Sequence, residues 1–159
     1  VDLLGATWLC DVGFGGPGIL DPIPFEAGYQ AVQHHRRIRL RKDENWGMVY
    51  EDEIEGKWRI IYSIPNEHLE PIDIEMGNHF CSTHPASIFR NNFFCGLPNP
   101  EGRISVWNRS VYIYRGTKRE DRILRSKADI EWLVRTVGGR FTEHEISHLQ
   151  QKLPEHEGS

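Results

Sequence analysis

Trp8-Leu9-Cys10-Asp11-Val12-Gly13-Phe14-Gly15-Gly16-Pro17 is an apolar run that meets one carboxylate near its end and breaks at once into glycines. Read as a strand over Trp8–Val12, it leaves Asp11 at the strand end. A carboxylate that faces inward there is costly to bury unless a charged or hydrogen-bonding group meets it. Asp11 is therefore a candidate orienting acid, in the manner of the aspartate that holds a catalytic histidine. The glycines are a candidate surface for close approach of a ligand. An aspartate before a glycine-rich turn is also a common turn former, and the residues alone leave both readings open.

Outward from this segment the first half of the chain reads as strands. Prolines at 17, 22, 24, 65 and 71 argue against helices there. Arg37–Arg41 alternates basic and apolar residues, which predicts a half-buried strand with a basic outer face rather than a nucleic-acid patch. Gly47–Glu51 and Lys57–Ile64 flank Glu55-Gly56, a hairpin signal. Asn78–Phe94 mixes polar and aromatic residues around Pro85 and reads as a loop crossing between lobes. Two further strands are expected at Ile104–Trp107 and Val111–Tyr114 around an Asn108-Arg109 turn, with a third run at Ile123-Leu124. Two helices close the chain. Ser126 with Asp129 and Thr142 with Glu145 have capping-box spacing. Ile130, Leu133, Val134 and Val137 form one apolar stripe; Ile146, Leu149 and Leu153 form the other. Gly138-Gly139 ends the first helix, and the tail after Pro154 reads as frayed. The fold class is α+β.

The chain has 159 residues, 38% hydrophobic and 26% charged, enough for a real core. A net charge of −4 creates no field that would call for nucleic acid or an anionic membrane. No apolar run approaches the roughly 18 residues of a membrane span. No signal-peptide pattern opens the chain, and a first residue Val1 just before a strand is expected of a piece of a longer protein. Three cysteines without metal-like spacing favour free thiols in a reducing compartment.

Several eye-catching motifs fail on context. Gly13-x-Gly15-x-x-Gly18 matches a dinucleotide fingerprint, but Pro17 and Asp21-Pro22-Ile23-Pro24 leave no helix to receive a pyrophosphate. His144-Glu145-x-x-His148 matches a zinc-protease helix, yet both histidines fall opposite the apolar stripe and Glu145 serves Thr142. No metal is expected. Asn108-Arg109-Ser110 reads as a turn rather than a glycosylation site. Cys10 is expected in the core beside Trp8 and Val12. Cys81 and Cys95, in aromatic surroundings, are expected to be inert. His79 and His84 lie in a segment that could border a cleft.

Taken together, Trp8–Gly16 closely resembles the third triad segment of arylamine N-acetyltransferases. Asn78-His79-Phe80-Cys81-Ser82-Thr83-His84-Pro85-Ala86-Ser87-Ile88-Phe89 resembles the same family's Asn-x-Tyr-x-x-Thr-x-Pro-x-Ser-x-Phe block. Pro100-Glu101-Gly102, a strand pair and two closing helices follow in the family's order. The resemblance implies a partial antiparallel β-barrel over 1–76, an α/β lid over 77–159 and a papain-like arrangement. It implies a Cys–His–Asp triad that takes an acetyl group from acetyl-CoA and passes it to an arylamine or hydrazine in the cytoplasm. Asp11 would be the triad acid. Phe14, Gly13 and Gly15 would line the acceptor pocket. Gly16, Phe80, Thr83, His84 and Ser87 would border the coenzyme A cleft, Phe80 standing where the family usually has Tyr.

One departure is large. The family's nucleophilic Cys and its His precede the Asp, and the ten residues before Asp11 contain no His. The resemblance therefore implies a fragment without its N-terminal helical domain, inactive alone and exposing apolar surface. The rival readings are a non-catalytic module that binds aromatic amine or coenzyme A, and another papain-like thiol enzyme such as a transglutaminase or protease.

Overall fold

The computed structural model describes residues 2–3, 5–115 and 118–154. Strands β1 (Asp2–Leu3), β2 (Ala6–Leu9) and β3 (Ile23–Pro24) form a small antiparallel sheet in the order β1-β2-β3. Strands β4 (Gln30–Gln33), β5 (Arg36–Asp43), β6 (Gly47–Ile54) and β7 (Lys57–Ile64) form a four-stranded antiparallel meander. The expected hairpin is present. Glu55 and Gly56 both hold positive φ, 52° and 75°, which is the backbone a tight two-residue β-turn demands. Its core is Ile19, Ile23, Ile38, Leu40 and Tyr50, with Leu9, Phe25 and Tyr62 packed against it.

Helix α1 (Pro71–Thr83) and the one-turn helix α2 (Ile88–Asn91) follow. Strands β8 (Phe94–Asn99), β9 (Gly102–Trp107), β10 (Ser110–Arg115) and β11 (Lys118–Ile123) make a second four-stranded sheet in the order β11-β10-β9-β8. Helices α3 (Lys127–Thr136) and α4 (Glu143–Lys152) close the chain. Their stripe residues Ile130, Leu133, Val134, Ile146 and Leu153 are buried with Ile104, Val106, Val111, Ile113 and Leu124. Both predicted capping boxes form. Ser126 accepts from the Asp129 amide and Asp129 answers to the Ser126 amide, and Thr142 and Glu145 do the same. His144 and His148 are exposed on α4. The tail after Pro154 falls on 155–159, outside the described residues.

The architecture is α+β, built of open sheets and helices, with no closed barrel among the described residues. It divides into two compact units. One takes the chain to Leu69 with Pro98–Arg103 and Tyr114–Arg119, and the other takes Glu70–Leu97, Ile104–Ile113 and the chain from Glu120 on. No helix of the described residues is long and apolar enough to cross a membrane.

Three expectations are corrected. The 78–94 segment is not a loop but largely α1 and α2. Pro71 does not break this helix; it sits in the first turn, where a missing N–H costs nothing, and Asp73 accepts from the Glu70 amide at 2.9 Å. Periodicity missed α1 because the helix buries no residue and so needs no apolar stripe. Secondly, β2 ends at Leu9, so Cys10 lies past the strand and strand alternation does not govern it. Cys10 is exposed rather than packed. Thirdly, the basic strand is not basic on one face only. Arg36 points inward with Ile38 and Leu40, and all three are buried.

Candidate active site

Asp11 lies in the turn beyond β2, and its two oxygens do different things. Oδ1 accepts from the amides of Gly13 at 3.2 Å and Phe14 at 2.9 Å. That is the turn-forming role of an aspartate. Oδ2 is buried and makes no hydrogen bond of ordinary geometry among the described residues; the Tyr62 hydroxyl, buried and unpaired in the same way, is the one neighbouring group whose proton this carboxylate helps to hold. A buried carboxylate oxygen left unmet is costly, so the turn former carries a second, unfilled valence.

The surrounding backbone is shaped to this carboxylate. Gly15 holds a φ of +75°, and the Gly18 amide donates to the Gly15 carbonyl at 2.6 Å. A Cβ on Gly18 would stand 2.6 Å from Asp11 Oδ2, so no larger residue fits there without moving the acid. Around Gly13 and Gly15 the corresponding space is open, as a ligand-facing backbone requires. Phe14 is half exposed, and its ring tilts onto Tyr62 with centroids 4.9 Å apart. Tyr62 in turn lies 4.9 Å from Tyr50. Burial, and after it the Asp11 charge, pushes the Tyr62 phenol well above the usual tyrosine range. Tyr50 is pushed up to about 12, with burial the largest cause.

Beneath the turn sits a buried guanidinium. Arg36 donates from Nη1 to the Gly18 carbonyl at 3.0 Å and from Nη2 to the Pro17 carbonyl at 2.5 Å and the Tyr50 hydroxyl at 3.0 Å. Its Nε faces Asp52 Oδ2 at 3.2 Å, and Arg103 reaches the same oxygen at 3.0 Å while lying over the Tyr114 ring. Arg36, Tyr50, Asp52 and Tyr62 escaped the sequence reading. The signal was present in the alternation, which puts Arg36 on the face of Ile38 and Leu40, with Asp52 opposite Ile38 in the β5–β6 register.

The second group of candidates lies around the α1–α2 junction, in the other unit. Phe80 stacks on the His84 ring at 4.4 Å, and both are exposed. The Thr83 hydroxyl donates to the His79 carbonyl at 2.6 Å. His84 Nδ1 accepts from the Ala86 amide at 3.1 Å. Ser87 is buried, its hydroxyl donating to the Cys81 carbonyl at 2.6 Å and accepting from the Phe89 amide at 3.3 Å. The Ser87 hydroxyl thus joins α1 to α2 and is already in use. Among the cysteines, burial raises the Cys95 thiol, which disfavours a thiolate. No group of three or more His, Cys, Asp or Glu side chains able to hold a metal occurs among the described residues.

A family model described as N-acetyltransferase matches residues 1–139 of the chain. The chain belongs to the arylamine N-acetyltransferase family. It is 29% identical to an arylamine N-acetyltransferase of Mycolicibacterium smegmatis over 71% of its own length and 41% of that protein's. It is 26% identical to mouse arylamine N-acetyltransferase 2 over 92% of its length and 58% of the relative's. The solved arylamine N-acetyltransferase of Mycobacterium abscessus superposes with a TM-score of 0.81 at 25% identity, over 98% of this chain and 57% of that one. A Mycobacterium marinum relative, solved in complex with CoA, has the same fold with a TM-score of 0.76 at 24% identity, over 92% and 54%. The chain spans about half the length of the relatives it matches.

Proposed function

We propose that this chain supplies the orienting acid and part of the substrate surface of an acetyl-CoA-dependent arylamine N-acetyltransferase with a Cys–His–Asp triad. The observation that carries this reading is the divided Asp11 carboxylate. Oδ1 is fixed by two backbone amides, and Oδ2 is buried without a hydrogen bond of ordinary geometry among the described residues. That oxygen suits an imidazole N–H, which it would orient and whose cationic form it would stabilise.

The thiol and the imidazole would come from a helical N-terminal domain and the strand after it. Paired with histidine, the thiol is held as thiolate and attacks the thioester carbonyl of acetyl-CoA. Coenzyme A leaves, an acetyl-cysteine forms, and the amine nitrogen attacks its carbonyl to regenerate the thiol. Phe14, half exposed in the open glycine turn, offers a face for the aromatic ring of the acceptor. Gly13, Gly15 and Gly16 offer backbone, and the Phe80–Ser87 segment borders coenzyme A. In this reading residues 1–76 belong to a partial barrel of papain-like arrangement and 77–159 to its lid, in a cytoplasmic enzyme without a metal.

The test is an acetylation assay with acetyl-CoA and an arylamine. The full-length encoded protein should turn over, and the 159-residue chain alone should not. Asp11→Asn in the full-length protein should lower kcat by about 10³–10⁴-fold with the fold unchanged by circular dichroism. Turnover by the chain alone that is lost on mutating Cys10, Cys81 or Cys95 would overturn the reading.

A further inference from the structure

We propose that Arg36 is a positioning residue for Asp11, and that the buried Asp52–Arg36 pair serves to fix the carboxylate rather than only to hold the sheet. The inference rests on reading Asp11 as the orienting acid.

The argument begins with cost. Asp52 is fully buried and Arg36 and Arg103 nearly so. Replacing such buried ions with apolar residues is often neutral or stabilising, so their presence calls for a task besides stability. The task is visible in where the guanidinium points. Asp52 orients Nε, which leaves the remaining donors to the Pro17 and Gly18 carbonyls. Those two residues end the turn that begins at Asp11. The Tyr50 hydroxyl adds a second tie, accepting from Arg36 and donating to the Pro17 carbonyl at 3.2 Å.

The Gly18 backbone is what the Asp11 carboxylate rests against, since a Cβ there would overlap Oδ2. Fixing Gly18 therefore fixes Oδ2 from one side, while the Gly13 and Phe14 amides fix Oδ1 from the other. Released from Arg36, the turn keeps the amide contacts to Oδ1 and loses the wall behind Oδ2. Lysine cannot substitute, because one ammonium cannot meet Asp52, two carbonyls and a phenol in a plane.

Arg103 is the built-in control. It shares Asp52 Oδ2 with Arg36, and it meets Asp52 and the Tyr114 ring rather than the turn. The experiment compares Arg36→Lys with Arg103→Lys in the full-length encoded protein. Two readouts are used: amide hydrogen exchange at Phe14 and Gly18, and the pH profile of iodoacetamide alkylation of the nucleophilic thiol. Arg36→Lys should speed exchange at both amides by about tenfold or more, shift the alkylation profile to higher pH and lower kcat by about 10–100-fold. Arg103→Lys should lower the melting temperature and leave the exchange and the profile in place. If Arg36→Lys fails to fold, Tyr50→Phe, which removes one tie, should move both readouts in the same direction by less.

Equal effects of Arg36→Lys and Arg103→Lys on both readouts, or no effect of either Arg36→Lys or Tyr50→Phe, overturn the proposal. Asp11→Asn separates the two ideas. If it leaves turnover and the alkylation profile unchanged, the reading of Asp11 as triad acid has failed, whereas hydrogen exchange still tests the hold of Arg36 on the turn.

Discussion

Two arginines do the same mechanical job in the two units, and they end differently. Arg36 spreads its donors over the carbonyls of Pro17 and Gly18. Arg109, in the β9–β10 turn, spreads its own over the carbonyls of Leu124, Gln150, Leu153 and Pro154. Both answer chain carbonyls that regular structure does not use. Around Arg109 the acceptors belong to the end of α4 and the start of the α3 segment, whose apolar faces are buried in a common core. Behind Arg36 the ordered turn carries a carboxylate oxygen with no hydrogen bond of ordinary geometry among the described residues and a half-exposed phenylalanine. A guanidinium fan whose product is fully satisfied serves stability. One whose product is left unsatisfied points to something that binds there.

That contrast breaks first at Arg109. Arg109→Ala removes the donors to four carbonyls, three of them at the end of α4. The expected cost is about 2–3 kcal/mol of unfolding free energy by denaturant titration, with kcat per folded molecule unchanged. A shifted thiol pH profile in that variant would erase the distinction between the two arginines.

How each region reads in sequence follows from what it packs against. Helices α3 and α4 lie on a sheet, so their apolar residues recur at helical spacing and their capping boxes stand out at Ser126-Asp129 and Thr142-Glu145. Asp11 stands out in the sequence as a lone carboxylate before glycines, a pattern that suits a turn former and an orienting acid alike. Helix α1 was illegible because no residue on it is buried, and because Glu70 rather than Ser or Thr precedes its Pro71. Arg36 was hidden in a basic run in which Arg37, Arg39 and Arg41 lie on the other face of the strand and pair. Arg39 and Arg41 both meet Glu51, and Arg37 meets Glu53. Charge counting cannot separate a buried guanidinium from three at or near the surface; strand alternation read against the facing strand can.

Ser87 sharpens the comparison from the α1–α2 side. The family block would put this residue at a coenzyme A cleft, yet its hydroxyl joins the Cys81 carbonyl to the Phe89 amide beneath the surface. Ser87→Ala should lower stability by about 1–2 kcal/mol, read as a drop in melting temperature. A raised KM for acetyl-CoA at unchanged melting temperature would show instead that the hydroxyl turns outward to the substrate.

The smallest effect concerns acid, and it falls on the second unit. Arg122, and after it Ser126, holds the Asp129 carboxyl well below the usual carboxylate range. The Thr142 amide and hydroxyl lower Glu145. A carboxyl whose folded pKa is depressed stabilises fully above its unfolded value near 4. That stabilisation fades as pH falls from there through the folded value, because the unfolded chain binds the proton first. Stability should therefore be flat from neutral pH down to about 5 as far as these two groups are concerned, and decline below about 4. Glu145 is exposed and Asp129 only partly covered, so water and salt screen the effect and the decline is shallow. Asp129→Asn removes the larger of the two contributions. Its melting temperature should lie below that of the parent at neutral pH and converge with it as the pH is lowered towards 2, and a gap that stays constant across that range would show that the Asp129 cap acts through its hydrogen bonds alone.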